Sequence, residues 1–280
     1  MRVIAAFVLF AASGLAGLYH AEANSAGNMV PTYEVKLLMN PEVVLDSEHK
    51  LKETVLNAFG MPATVTKMNV LFMDTDSKSI YGSGWIARIR KTEDEGDFEL
   101  SYKKRYSIPN GDITEALSIA NAQGFDISDT NYAAQIEWGY QEKTLSITNA
   151  KKDNKSGYHG MEIPSTSDAI SLLRKNIPGK MDNWWYSHWG SDMLSVSRKY
   201  GPVLAKRSVG LWSGIPLYIE VWPIRSSSGT GTEYVVEASL KTANGSAAAS
   251  RHDDLMAYLV ARGWFLAQDS LKTQMIMQRY

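Results

Sequence analysis

Five stretches of this chain alternate apolar and polar residues, and most of the polar positions are charged. Tyr33-Glu34-Val35-Lys36-Leu37 is the first; Trp85-Ile86-Ala87-Arg88-Ile89-Arg90 and Phe98-Glu99-Leu100-Ser101-Tyr102-Lys103 follow. Ala134-Gln135-Ile136-Glu137-Trp138 and the run from Glu233 to Lys241 complete the set. Successive side chains of a strand point to opposite faces, so each stretch predicts a strand with an apolar and a charged face. A slip of one residue would exchange those faces, which fixes the register of pairing. Glu34 shares a face with Lys36, and Arg88 with Arg90. Glu99 shares one with Ser101, Lys103 and Arg105, and Glu233 with Glu237, Ser239 and Lys241.

Two architectures satisfy this pattern. An antiparallel sheet with one solvated face is the simpler. The other is a closed barrel whose lumen gathers the charges while helices cover its apolar outside, and eight strands leave room for one small ligand. Such a lumen has to be wet, because an unpaired buried ion is costly even after relaxation. Its residue types suit a polyanion with a divalent metal. Arg offers a planar fork to phosphate oxygens and Lys a point charge. Carboxylates suit hard cations such as Mg²⁺ or Mn²⁺.

Residues 1–23 have the form of a cleaved secretory signal, with Arg2, an apolar run from Val3 to Ala12, and Ala21-Glu22-Ala23 as the cleavage site. The expected product is secreted or periplasmic, with no further stretch apolar enough to span a bilayer. It has no cysteine and therefore no disulfides. A net charge of -1 gives no bulk attraction for duplex nucleic acid or an anionic membrane, so any anion must be held by local clustering. Nothing in the sequence sets an oligomeric state.

Residues 24–280 are expected to form a single α+β domain, an antiparallel eight-stranded tunnel-like β-barrel with helices packed outside. Strands are read at Tyr33 to Met39, Lys67 to Met73, Gly84 to Lys91 and Phe98 to Tyr106, with a hairpin from Ala133 to Thr148. Val203 to Val209, Pro216 to Trp222 and Glu233 to Lys241 follow a helical insertion near 165–200. A helix is expected from His252 to Arg262, with Asp253 and Asp254 near its start favouring its dipole. Leu266 to Tyr280 reads as a tail of undefined form, and Lys272 as a solvated lysine on it, with the mouth of the lumen as its alternative destination. The run Trp184-Trp185-Tyr186-Ser187-His188-Trp189 reads as packing against the barrel wall rather than a sugar platform.

These segments, in this order, resemble the CYTH or triphosphate tunnel metalloenzyme superfamily. Thr32-Tyr33-Glu34-Val35-Lys36 matches the second Glu and the Lys of that family's Glu-x-Glu-x-Lys strand. Phe72-Met73-Asp74-Thr75 is similar to its strand ending in Asp-Thr, and Gly84 with Arg88-Ile89-Arg90 to its Arg-x-Arg strand. Lys103 ends a strand where the family has a lysine; Arg207 and Glu237 match its late basic and acidic strands.

The resemblance implies a metal-dependent phosphohydrolase acting on a triphosphate or short polyphosphate by attack of water, and residues 1–23 imply that it is exported. Lys36, Arg88, Arg90, Lys103 and Arg207 would grip phosphates. Glu34 and Glu237 would hold Mg²⁺ or Mn²⁺, with Glu34, Lys36 and Arg90 central to catalysis. Two positions depart, because Thr32 and Ser239 stand where acids are expected. Glu137 and Glu220 are the remaining carboxylates. The basic set is fuller than the acidic one, so a phosphate-binding module that has lost part of its metal site is the alternative. The histidines His49, His159, His188 and His252 lack zinc-ligand spacing, and neither a Gly-x-Ser-x-Gly elbow nor a Walker loop occurs.

Overall fold

In the computed structural model, which describes residues 26–269 and 272–280, nine strands close into a barrel. They are β1 (Thr32–Met39), β2 (Thr66–Asp74), β3 (Trp85–Thr92), β4 (Phe98–Ser107), β5 (Ala133–Trp138), β6 (Lys143–Asp153), β7 (Arg198–Trp212), β8 (Ile215–Arg225) and β9 (Thr232–Thr242). Around the barrel the order is β1, β5, β6, β4, β3, β2, β7, β8, β9, and β9 pairs back onto β1.

The eight-stranded, purely antiparallel expectation is corrected on both counts. The strand count is nine, and β1 pairs with β5 in parallel, making the sheet mixed. Strands β2, β3 and β4 intervene between that pair, which supplies the long return a parallel neighbour needs. A ninth strand also widens the lumen, since diameter grows with strand number. The expected signal lies outside the described residues.

The apolar strand faces point outward, as the alternation requires. Trp85, Ala87, Ile89, Phe98, Leu100 and Tyr102 pack under the helices Ile113–Ala122, Thr166–Asn176 and Trp189–Ser195. On the opposite wall, Val35, Leu37, Leu217, Ile219, Ala238 and Leu240 pack under the helix Gly245–Ala261. That helix starts earlier than His252 because Asn244 caps it, accepting from Ser246 N and Ala247 N. Asp253 and Asp254 therefore lie within the helix, away from its start. Trp184 meets Trp85 edge-on at 5.5 Å and Trp189 is buried, so these two aromatics pack on the barrel wall as expected.

One part of the interior is apolar. Met68, Val70 and Phe72 on β2, with Val203 and Ala205 on β7, form a patch covered by Ile276 and Met277 of the C-terminal helix Lys272–Arg279. The tail whose form the sequence left open thus carries a docked helix. Among the described residues, no helix is long and apolar enough to cross a membrane.

A charged lumen as the candidate active site

Strand parity delivers the charged faces into one cavity of about 540 Å³ inside the barrel. All of the predicted site residues line it: Glu34, Lys36, Arg88, Arg90, Lys103, Arg207 and Glu237. The open-sheet alternative is excluded by closure. Arg105, Glu99, Glu137, Glu220 and Lys272 line the same space. A volume of this size suits a small-molecule ligand.

The carboxylates are arranged as hubs for cations. Glu137 accepts from Lys103 Nζ at 2.6 Å, Lys36 Nζ at 3.0 Å and Arg105 at 3.1 Å, and from the Ser146 hydroxyl at 2.7 Å. Glu99 accepts from Arg88 at 2.9 Å on one oxygen and from Arg90 on the other. Five cations thus rest on two carboxylates, with Glu34 an additional neighbour of Lys36 at 3.5 Å. On the far wall, Glu220 accepts two bonds from Arg207 and one from Trp222 Nε1.

Burial and charge pull in opposite directions on these groups. Burial alone would raise Glu137, but Lys103, Lys36 and Arg105 outweigh it and hold the carboxyl well below its ordinary range. Burial would depress the Lys36 ammonium, yet Glu137, Glu34 and Glu237 keep it above the ordinary lysine value. Lys103 is the exception. Burial, reinforced by Lys36, Arg105 and Arg88, exceeds the pull of Glu137 and brings it down to about 8.

The guanidinium donors are left in excess. The Nε–H groups of Arg88, Arg90 and Arg105 are buried and meet no acceptor among the described residues. A buried donor without a partner costs about 1–3 kcal/mol, so any rearrangement that gives these three groups an oxygen is favoured.

The carboxylates fit a divalent ion poorly. Glu34 and Glu237 sit on adjacent strands, but Lys36 stands between them, since Glu34 pairs with Lys241, Lys36 with Ser239 and Leu38 with Glu237. Lys272 Nζ lies 2.8 Å from Glu237 and 3.1 Å from Glu220. Among the described residues, no group of three or more Asp, Glu or His side chains comes together as a metal cage. With ammonium groups at each of these carboxylates, the set does not fit Mg²⁺ or Mn²⁺ in this arrangement.

Lys272 takes the second of its two expected destinations, the lumen, where it pairs with Glu220 and Glu237. No periodicity marks an eight-residue polar helix as lumen-facing, and only its docking reveals the side chain's destination. Asp74 is likewise structural. It accepts from the N–H groups of Thr75, Ile80 and Tyr81, closing the turn into β3.

No family model matches the sequence, and no curated protein matches it. Solved structures do. HpAC1 from Hippeastrum, described as an adenylyl cyclase candidate with a dominant triphosphatase activity, superposes with a TM-score of 0.51 at 15% identity, covering 88% of this chain and 96% of that one. A Bacillus halodurans protein named for adenylate cyclase gives 0.46 at 10% identity, over 89% of this chain and 98% of its own. At such identities the likeness speaks to the fold. With a closed barrel, outer helices and a lumen holding every predicted site residue, this chain has a CYTH-like barrel fold.

Proposed function

We propose that the lumen binds an extended triphosphate or short polyphosphate. The observation that carries this reading is the surplus of donors: five cations share Glu137 and Glu99, and three guanidinium Nε–H groups have no acceptor among the described residues. Phosphate oxygens suit them, because Arg binds phosphate through paired charge-assisted hydrogen bonds. Lys36, Lys103 and Arg105 would take one end of the chain of phosphates, and Arg88 and Arg90 the other. Arg207 belongs to the far wall, where Glu220 holds it. Calorimetric titration with tripolyphosphate and with orthophosphate tests this. Saturable binding of tripolyphosphate, abolished in Lys36→Ala/Arg90→Ala, is expected; no heat and no rise in Tm would refute it.

Hydrolysis of a phosphoanhydride is the second reading. It is favoured by the structural likeness to HpAC1, described as a triphosphatase. The Mg²⁺ or Mn²⁺ dependence that the sequence resemblance implies finds no fitting donor set among the described residues of the lumen. Phosphate release from tripolyphosphate, absent in Arg90→Ala, would establish turnover; binding without release would leave the receptor reading standing. Export directed by residues 1–23 is part of the proposal, and N-terminal sequencing of exported protein should begin at Asn24.

A further inference from the structure

Glu220 and Glu237 face each other directly across β8 and β9. Like charges in that relation repel, and these two are nearly out of water, with 10% and 3% of their side chains exposed. A cation is needed between them. The chain supplies its own, because Lys272 Nζ bridges the pair at 3.1 Å and 2.8 Å. The ammonium also lies 4.6 Å from the centre of the Trp222 ring, whose Nε1 donates to the same Glu220.

Lys272 lies in the first described turn of its helix, towards the end whose dipole disfavours positive charge. The two carboxylates account for a lysine there. The segment is tied down on both sides: Asp269 accepts from Gln141 N and Glu142 N, and Arg279 pairs with Glu233 at 2.6 Å. Ile276 and Met277 are buried between these ties, so the ammonium is delivered by a docked element.

We infer that the Lys272 ammonium is the resident cation of the Glu220–Glu237 pair, standing in for a divalent ion, so that anion binding in this lumen needs no divalent metal. Its last clause rests on the phosphate reading; the occupancy of the carboxylate pair does not. Free Mn²⁺, followed by its EPR signal with no phosphate present, tests it. Wild type should take up no Mn²⁺ at this pair, and Lys272→Arg should match it. Lys272→Met should bind one ion at least about tenfold more tightly than wild type, since a fixed positive charge has been removed. Lys272→Met/Glu237→Gln should lose that gain. A Mn²⁺ site in wild type that disappears in Glu237→Gln overturns the inference without needing any Lys272 variant to fold. Equal uptake by wild type and Lys272→Met overturns it too. Because Mn²⁺ is the only probe, failure of tripolyphosphate to bind would sink the phosphate reading and leave this result intact.

Discussion

Lys103 Nζ lies 2.6 Å from Glu137 Oε1, yet the ammonium holds its proton less tightly than a free lysine does. One carboxylate serves three cations, so the energy of the third is dominated by burial and by its like-charged neighbours. With the folded value at about 8 against 10.5 for a free lysine, the unfolded chain holds more protons between those limits. Stability from this group therefore rises with pH across that window and is flat, at its lowest, below it.

A polyanion beside Lys103 should restore its proton. At pH 8, binding of tripolyphosphate is expected to take up about half a proton more in wild type than in Lys103→Met, and almost none extra at pH 6. Titrations in buffers of differing ionisation enthalpy measure this. Equal uptake by the two proteins would show that Lys103 does not face the ligand.

Much of this site was legible beforehand because parity in a strand is a physical constraint. Glu34, Lys36, Arg88, Arg90, Lys103 and Glu237 reach one cavity since their partners Val35, Leu37, Ile89, Leu100 and Ala238 had to reach the outer core. Glu137 sat in such a stretch too, but its role as a hub depends on Lys36, Lys103 and Arg105 arriving from two other strands. The parallel β1–β5 contact was not legible, and the lumen was only the lesser of two destinations read for Lys272. Both arise from long-range docking, which leaves no local period. Strand β2 was read as a strand without its apolar inner face being given a meaning, and the C-terminal helix supplies it.

Glu137→Gln should destabilise the ligand-free protein by about 3 kcal/mol, because three cations lose their shared counter-charge. Tripolyphosphate should restore more stability to this variant than it adds to wild type, since it brings the missing oxygens. Urea melts with and without ligand give both quantities. A variant as stable as wild type would mean that water already screens the hub.

Arg90 and Glu99 separate grip from restraint. Arg90→Ala should weaken tripolyphosphate binding by about tenfold or more, the worth of a charge-assisted hydrogen bond. Glu99→Gln should act in the opposite sense, because it releases Arg88 and Arg90 together. Titration calorimetry on both variants checks the sign. Weakening in both would mean that Glu99 positions the guanidinium groups for the ligand.

Asp74→Ala should cost about 2–3 kcal/mol, because three N–H groups in the turn after β2 lose their acceptor. Phosphate affinity of the folded fraction should hold, since Asp74 lies outside the cavity lining. Paired melts and titrations distinguish this from a role at the site.

Gly139 governs how the C-terminal segment is moored. A Cβ there would collide with Asp269 Oδ1, the oxygen that accepts from Gln141 N at 3.1 Å and Glu142 N at 3.2 Å. The neighbouring backbone cannot give way easily, since Gly139 O is bound by His252 Nε2 at 2.9 Å and Gly139 N donates to Glu142 O. Gly139→Ala should therefore cast off the Asp269 mooring while the Arg279–Glu233 pair at the other end persists. Hydrogen exchange is expected to speed up in the C-terminal helix near Lys272 before it does near Arg279. Asp269→Ala, which removes the same mooring without crowding Gly139, should give the same gradient. Unchanged exchange in both variants would show that Ile276 and Met277, buried against the β2 wall, hold the helix unaided.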